Sequence, residues 1–162
     1  MISVIVWSLI AAFAVVSDQI SKLIVVKNLK PIGTKSFIDG IIGFSYTENT
    51  GAAFGMMKGM RIVFIAVSFI AIFLIAFWLI RKRASIPTLA GISLSMIVGG
   101  GIGNQIDRIV NGYVVDFIEF QFVDFAIFNV ADCFVTVGVI LTVIDILFIN
   151  RHEFNALFED KK

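Results

Sequence analysis

The chain is short of the residues that most enzyme chemistries recruit. It holds one cysteine, Cys133, and one histidine, His152, in 162 residues. A lone cysteine excludes an internal disulfide, a Cys-x-x-Cys redox pair and a thiolate metal cluster. A histidine-based metal site or a Ser-His-Asp triad would have to be built on His152, and there is no G-x-S-x-G elbow. No cofactor or metal is expected. There are two prolines, so no Pro-rich linker divides the chain, and its length suits one domain. Charge is scarce as well: 15% of residues are charged, against about 25% in ordinary soluble domains. The net charge of +1 leaves no basic surface for nucleic acid.

What is abundant is apolar side chain, at 59% against a usual value of about 45–50%. This composition points to an integral membrane protein. A helix needs about 20 mostly apolar residues to cross a bilayer core, and four segments meet that need. They predict helices at about 2–26, 61–80, 86–106 and 128–149, with loops at about 27–60 and 107–127. The first segment lacks a basic leader and a small-x-small cleavage site, so it reads as a retained helix and not a signal peptide. Four spans put both termini and the Arg81–Ser85 loop on one side. Arg81, Lys82, Arg83, Arg151, Lys161 and Lys162 lie on that side, and the positive-inside rule assigns it to the cytoplasm. The opposing basic residues, Lys22 to Arg61, are spread more thinly.

Both outer loops carry strand signals. Ser36–Ile38 and Ile41–Tyr46 flank Asp39-Gly40, a hairpin pattern. Tyr113–Phe117 is a further strand candidate, with a hairpin expected to end near Asp124. The fold class is therefore membrane all-α with a small β element, a four-transmembrane-helix bundle plus an extracytoplasmic β-cradle.

The few polar residues of the spans gather at one depth. Asp18, Gln19 and Lys22 end the first span, Asn104, Asp107 and Arg108 end the third, and Asn129 and Asp132 begin the fourth. Each has a plain structural reading. Asp18 and Lys22 are i, i+4 and pair on one helix face. Asn104, Asp107 and Arg108 share a face and read as a network tying helix to loops. Asn129 suits an N-cap, with an acid three residues later in the first turn; against this stands the cost of an ionised Asp132 among Phe128, Val130, Ala131 and Phe134. Asp116, in the apolar run VVDFI, is poorly explained by solvation. Glu119 and Asp124 alternate with aromatics and read as the wet face of a hairpin. Gly99, Gly100, Gly101 and Gly103 read as helix packing. The stretch from Asn49 to Gly55 is no phosphate cradle, and its small residues suit close approach of a substrate backbone. Cys133 falls about 100 degrees from Asp132 around a helix and reads as a small buried hydrophobe. Asp145 reads as an interfacial partner of Arg151, and His152 as an interface or tail residue.

Two carboxyls in one low-dielectric site hold one proton between them. One then takes a proton from an attacking water while the other donates to the developing oxyanion. Such a site needs no cysteine, histidine or metal. The competing reading is a small ion-coupled transporter or permease subunit, with Asp18, Lys22, Asp107 and Arg108 as coupling charges. A transporter would place polar groups or broken helices near the bilayer midplane, whereas here they sit at the outer ends.

Five motifs, in order along the chain, resemble the lipoprotein signal peptidase family, also called signal peptidase II. They are Ser17-Asp18-Gln19-Ile20-Ser21-Lys22, Asn49-Thr50-Gly51-Ala52-Ala53-Phe54, Gly103-Asn104-Gln105-Ile106-Asp107-Arg108, Gly112-Tyr113-Val114-Val115-Asp116-Phe117 and Phe128-Asn129-Val130-Ala131-Asp132. The resemblance implies a membrane aspartic endopeptidase of the bacterial cytoplasmic membrane, N-in and C-in, with its active site at the outer face. It would remove signal peptides from prolipoproteins, cleaving before a cysteine that carries diacylglycerol, and would be blocked by globomycin. Its partners would be that precursor and the lipid bilayer. By motif position Asp116 and Asp132 would be catalytic. Asn49, Gly51, Asn104, Arg108 and Asn129 would bind substrate or shape the site, with Asp18, Lys22 and Asp107 in support. The chain departs from the family pattern in having Ala126-Ile127 where a proline is common, and Cys133 directly after Asp132.

Overall fold

A computed structural model describes residues 2–51 and 61–150. The described chain runs α1 (Ile2–Asn28), β1 (Thr34–Ile38), β2 (Ile42–Asn49), α2 (Arg61–Arg81), α3 (Thr88–Val110), β3 (Val114–Phe120) and α4 (Val130–Ile144). A π-helical turn, Asp145–Ile149, continues α4. Outside the described residues lie Ala52 to Gly55 of the small-residue loop, Arg151 as the expected partner of Asp145, His152, and the tail lysines Lys161 and Lys162.

Among the described residues, four helices are long and apolar enough to cross a membrane. Between Arg61 and Arg81 the sequence is wholly apolar save Ser68, so α2 offers lipid an oily surface on nearly every side and is the least buried of the four. The most buried is α3, which packs between α1, α2 and α4. Its glycines permit this. A methyl group on Gly99 would come within 2.6 Å of the Ala11 carbonyl oxygen on α1, and one on Gly100 within 2.4 Å of the Ala131 carbonyl oxygen on α4. Lipid offers apolar helices no hydrophobic gain on association, so close backbone approach supplies the packing.

The three strands form one antiparallel sheet in the order β1-β2-β3. The turn joining β1 to β2 places Gly40 at φ 74°, a conformation natural to glycine and strained for other residues. The β2–β3 register shifts between Phe44 and Thr47. Beyond that shift three pairs remain, Thr47 with Asp116, Glu48 with Val115 and Asn49 with Val114. Val115 and Phe117 pack against Val25 and Leu29 at the end of α1, seating the sheet on the bundle.

The elements depart from sequence expectation at several places. The third helix runs to Val110, so Asp107 and Arg108 are helical and not in a loop. The helix can continue because the charge of Asp107 is met internally. It stops at Gly112 (φ 88°), whose N–H, like that of Asn111, returns to the Asp107 carbonyl. No hairpin forms near Asp124. Residues 121–127 are bends and coil, and Phe128 alone bridges back to Ile118. The fourth helix starts at Val130, with Asn129 as its cap.

One ammonium group clamps the end of the bundle that carries the sheet. Lys22 on α1 lies 2.9 Å from Asp18 Oδ2 and 3.0 Å from Asp107 Oδ2 on α3, with all three side chains buried. Lys22 Nζ also donates to Asn104 Oδ1 at 3.0 Å. The carboxylates take their remaining donors from backbone: Ala131 N–H gives to Asp18 Oδ1 and Val115 N–H to Asp107 Oδ2, each at 3.0 Å. Gln19 adds its amide N–H to Asp18 and Asp107. Three helices and β3 thus converge on one cation.

Two outcomes follow for stability in detergent. Lys22→Met strands two buried carboxylates and is expected to cost about 3–5 kcal/mol, read as a large fall in thermal midpoint; an unchanged midpoint would show that the ammonium does not hold the clamp. Gly100→Val is expected to cost about 1–3 kcal/mol by overpacking, and Gly101→Ala less. A methyl on Gly101 meets only the flexible end of Ile72, at 2.9 Å, so equal losses for the two variants would argue against backbone approach as the cause.

Candidate active site

Side chains alternate along a strand. With Val115 and Phe117 turned to α1, Asp116 points the other way, toward α3 and α4. It is buried, at 3% exposure. Its Oδ1 accepts from Asn129 Nδ2 at 2.6 Å and its Oδ2 from Asn49 Nδ2 at 2.9 Å. Asn49 is oriented in turn by Gly51, whose N–H donates to Asn49 Oδ1 at 3.0 Å.

Asp132 arrives from the first turn of α4. A capping box sets its position: Asn129 Oδ1 accepts the Asp132 N–H at 3.0 Å, and Asp132 Oδ2 accepts the Asn129 N–H at 3.1 Å. Its Oδ1 accepts from Asn104 Nδ2 at 2.8 Å. The Asn104 amide can face only this way. Its oxygen already accepts from Lys22, which has donors alone, and from Asn129 Nδ2 at 3.1 Å. Asn129 is therefore both helix cap and bridge, contacting Asp116 through Nδ2 and Asp132 through its oxygen and backbone. The two readings left open for it are one arrangement.

Asp116 and Asp132 line the same cavity, of about 520 Å³. Asn49, Asn104 and Arg108 supply the rest of its polar wall, and Val114, Phe120, Phe125, Ile127, Phe128 and Val137 most of its apolar wall. Burial pushes the Asp116 carboxyl up from the ordinary range, and the charge of Asp132 pushes the same way. Hydrogen bonds from Asn49 and Asn129 and the Lys22 charge oppose the rise, leaving a pKa of about 6. Arg108 sets a fixed positive charge on the wall. Its Nη1 donates to the Asn104 carbonyl at 3.4 Å, and the guanidinium lies 5.9 Å from the Phe64 ring centroid. Among the described residues no cluster of three or more His, Cys, Asp or Glu side chains is arranged to hold a metal ion.

Asp18, Lys22 and Asp107 form the clamp beneath this site, and Gly51 acts through its backbone. Glu119 and Asp124 line a separate, open groove with Gln121 and Phe122; Asp124 is exposed and Glu119 half-buried. Cys133 is not packed away. The first turn of α4 faces the cavity broadly enough that Asp132 and Thr136 present one row and Cys133 and Val137 the next. Sequence reasoning missed the aromatic wall. Its signal was the run of phenylalanines at 117, 120, 122, 125 and 128, whose rings at 120, 125 and 128 pack together. It also missed the backbone donors of Val115 and Ala131, for which a sequence carries no mark.

Known proteins match this arrangement over most of the chain. A family model described as signal peptidase (SPase) II matches residues 10–148. The lipoprotein signal peptidase of Clostridium tetani (strain Massachusetts / E88) is 39% identical over 153 residues, covering 93% of this chain and 97% of that protein. The lipoprotein signal peptidase of Caldanaerobacter subterraneus subsp. tengcongensis is 42% identical over 132 residues, covering 82% of this chain and 89% of its own. A bacterial membrane enzyme structure determined by the in meso method superposes with a TM-score of 0.79 at 30% identity, covering 97% of this chain and 93% of that one. Matched this fully, and carrying four helices of membrane-spanning length among its described residues, the chain belongs to the signal peptidase II family and is a multi-pass membrane peptidase.

Proposed function

We propose that the protein is an aspartic endopeptidase that removes signal peptides from prolipoproteins, cutting before a cysteine that carries diacylglycerol. One observation carries the catalytic part of this reading: two carboxyl groups, one from a strand and one from a helix start, are bridged by one residue, Asn129, whose side-chain amide donates to Asp116 and whose backbone N–H donates to Asp132, and both open on the same cavity. Both carboxylates already accept a fixed donor on each oxygen, so they are oriented before substrate arrives. A water between them attacks the scissile carbonyl and loses its proton to the ionised carboxylate. The partner carboxyl donates its proton to the carbonyl oxygen as that oxygen gains charge. Collapse of the tetrahedral species breaks the C–N bond: the proton taken from water passes to the leaving amine, and a hydroxyl of the diol returns its proton to the carboxylate that had donated one, which restores the singly protonated pair. Asn49, Asn104 and Arg108 supply polar contacts for the substrate backbone, and the aromatic wall suits apolar side chains and acyl chains.

The same reading places the protein in the bacterial cytoplasmic membrane with both termini inside. The Arg81-Lys82-Arg83 cluster between α2 and α3 lies at the opposite end of the bundle from the sheet, and the positive-inside rule puts it in the cytoplasm. The site then faces outward, where an exported precursor is held, and globomycin is the expected inhibitor. The transporter reading draws no support, because Asp18, Lys22 and Asp107 are buried against one another and the matched relatives are peptidases.

Separate Asp116→Asn and Asp132→Asn variants keep shape and most hydrogen bonding. Each is expected to fold and to cut a lipidated precursor about 10²–10⁴-fold more slowly, followed by gel shift. Glu119→Gln and Asp124→Asn should retain most activity. A folded Asn variant at either member that cuts near the normal rate would rule out the pair.

The pH profile has a definite sign. With its pKa raised to about 6, Asp116 holds a proton below that pH and gives it up above. The singly protonated pair is thereby depleted as pH rises, so kcat/KM is expected to decline on the alkaline side from about pH 6 in the free enzyme. Asn49→Ala removes a hydrogen bond that favours the Asp116 anion, so the alkaline limb should move to higher pH. A limb that stays put or moves down would contradict the assignment.

A further inference from the structure

The two faces of the β2–β3 ladder do different work. One presents Asn49, Val114 and Asp116 to the cavity. The other carries Tyr46, Val115 and Phe117 against the end of α1, and Glu48, the register partner of Val115, stands on that far face. The Glu48 Oε1 atom accepts from Lys30 Nζ and from the Tyr46 hydroxyl, both at 2.8 Å. The Lys30 ammonium also lies 5.1 Å from the Tyr46 ring centroid, and the Tyr113 hydroxyl interacts with the same carboxylate. These partners come from three places: the turn after α1, β2 itself, and the residue directly before β3.

We infer that Glu48 is a positioning residue for the reaction: by gathering Lys30, Tyr46 and Tyr113 behind the sheet, its carboxylate holds the Thr47–Asn49 end of β2, and with it Asn49 and Asp116, in place against α4. The inference rests on Asp116 being one of the working pair. A lone exposed ion pair does little, and Lys30 and Glu48 are 45% and 41% exposed in their side chains. Here one oxygen takes two donors at normal hydrogen-bond length, and the place where it does so matters. The β2–β3 register shifts between Phe44 and Thr47, so the last three residues of β2 are joined to β3 by a short run of three pairs beyond an irregularity. The Glu48 tie reinforces that short run from its far face. The lowered pKa of Glu48, caused first by Lys30 and then by Tyr46, is consistent with a carboxylate held charged.

The test compares Glu48→Gln, Lys30→Met and Lys30→Arg in the full-length protein, using the lipidated precursor. Glu48→Gln and Lys30→Met are expected to lower kcat roughly fivefold, with KM nearly unchanged and the thermal midpoint close to that of the parent. Because a loosened Asn49 favours the Asp116 anion less, their alkaline limb should rise by roughly half a pH unit. Lys30→Arg, which keeps the charge and the donor, should restore both values. Parental kcat and parental limb in Glu48→Gln would overturn the inference, as would a loss of activity fully accounted for by unfolded protein. Asp116→Asn measured alongside separates the two claims: if it is inactive while Glu48→Gln is unaffected, the positioning role alone fails; if it is active, the dyad reading fails and takes this one with it.

Discussion

A single buried ammonium organises the half of this molecule that carries the sheet. Lys22 is nearly inaccessible to solvent, and two carboxylates and one amide oxygen converge on it. A charge removed from water this completely is tolerable only when paired and hydrogen-bonded, and the paired groups belong to different helices. Meeting the needs of one cation therefore fixes the depth and rotation of α1 against α3. The constraint extends further, because a lysine can only donate. Its contact with Asn104 Oδ1 turns the Asn104 amide hydrogens toward Asp132. The orientation of a carboxylate in the cavity is thus decided by a charge that does not line it.

The sheet and the bundle depend on each other through backbone as much as through side chains. Asp107 on α3 receives the N–H of Val115, one residue before Asp116. Asp18 on α1 receives the N–H of Ala131, one residue before Asp132. Each supporting acid holds the chain immediately next to one member of the pair. Gly103 makes room for this, since a methyl there would sit 2.6 Å from Asp18 Oδ2. The small residues of α3 serve packing along the helix and electrostatics at the end next to the sheet.

Much of this was legible in the sequence, and the rest was hidden for identifiable reasons. Long apolar runs in Ile62–Ile80 and Phe128–Ile149 mark spans because bilayer thickness sets a length. Asp18 and Lys22 were readable as a pair because helical spacing puts them on one face. The end of the third helix was not. Asp107-Arg108 looks like the edge of a membrane segment by charge, but Asp107 is neutralised inside the protein and the helix continues to Val110. The supposed hairpin after β3 failed for a related reason. The aromatics from Phe120 to Phe125 look like a continuing strand, yet Phe120 is the last residue of β3, and Phe122 and Phe125 pack against its ring, as Phe128 does, instead of extending the ladder. That Asp116 and Asp132 share a site rests on Asn129 touching both, a fact of three dimensions that five sequence motifs pointed to only through resemblance.

The capping box at the start of α4 has a consequence for side-chain length. The third position of a helix accepts glutamate at least as readily as aspartate, since either can reach back to the cap N–H. Judged by helix formation alone, the longer acid would serve as well as Asp132. The cavity judges otherwise, because one more methylene would carry the carboxylate past the Asn104 amide that now meets it at 2.8 Å. Under the proposed chemistry the helix is indifferent between the two acids and the site is not, so the shorter one at this position records a demand made by the reaction and not by the fold.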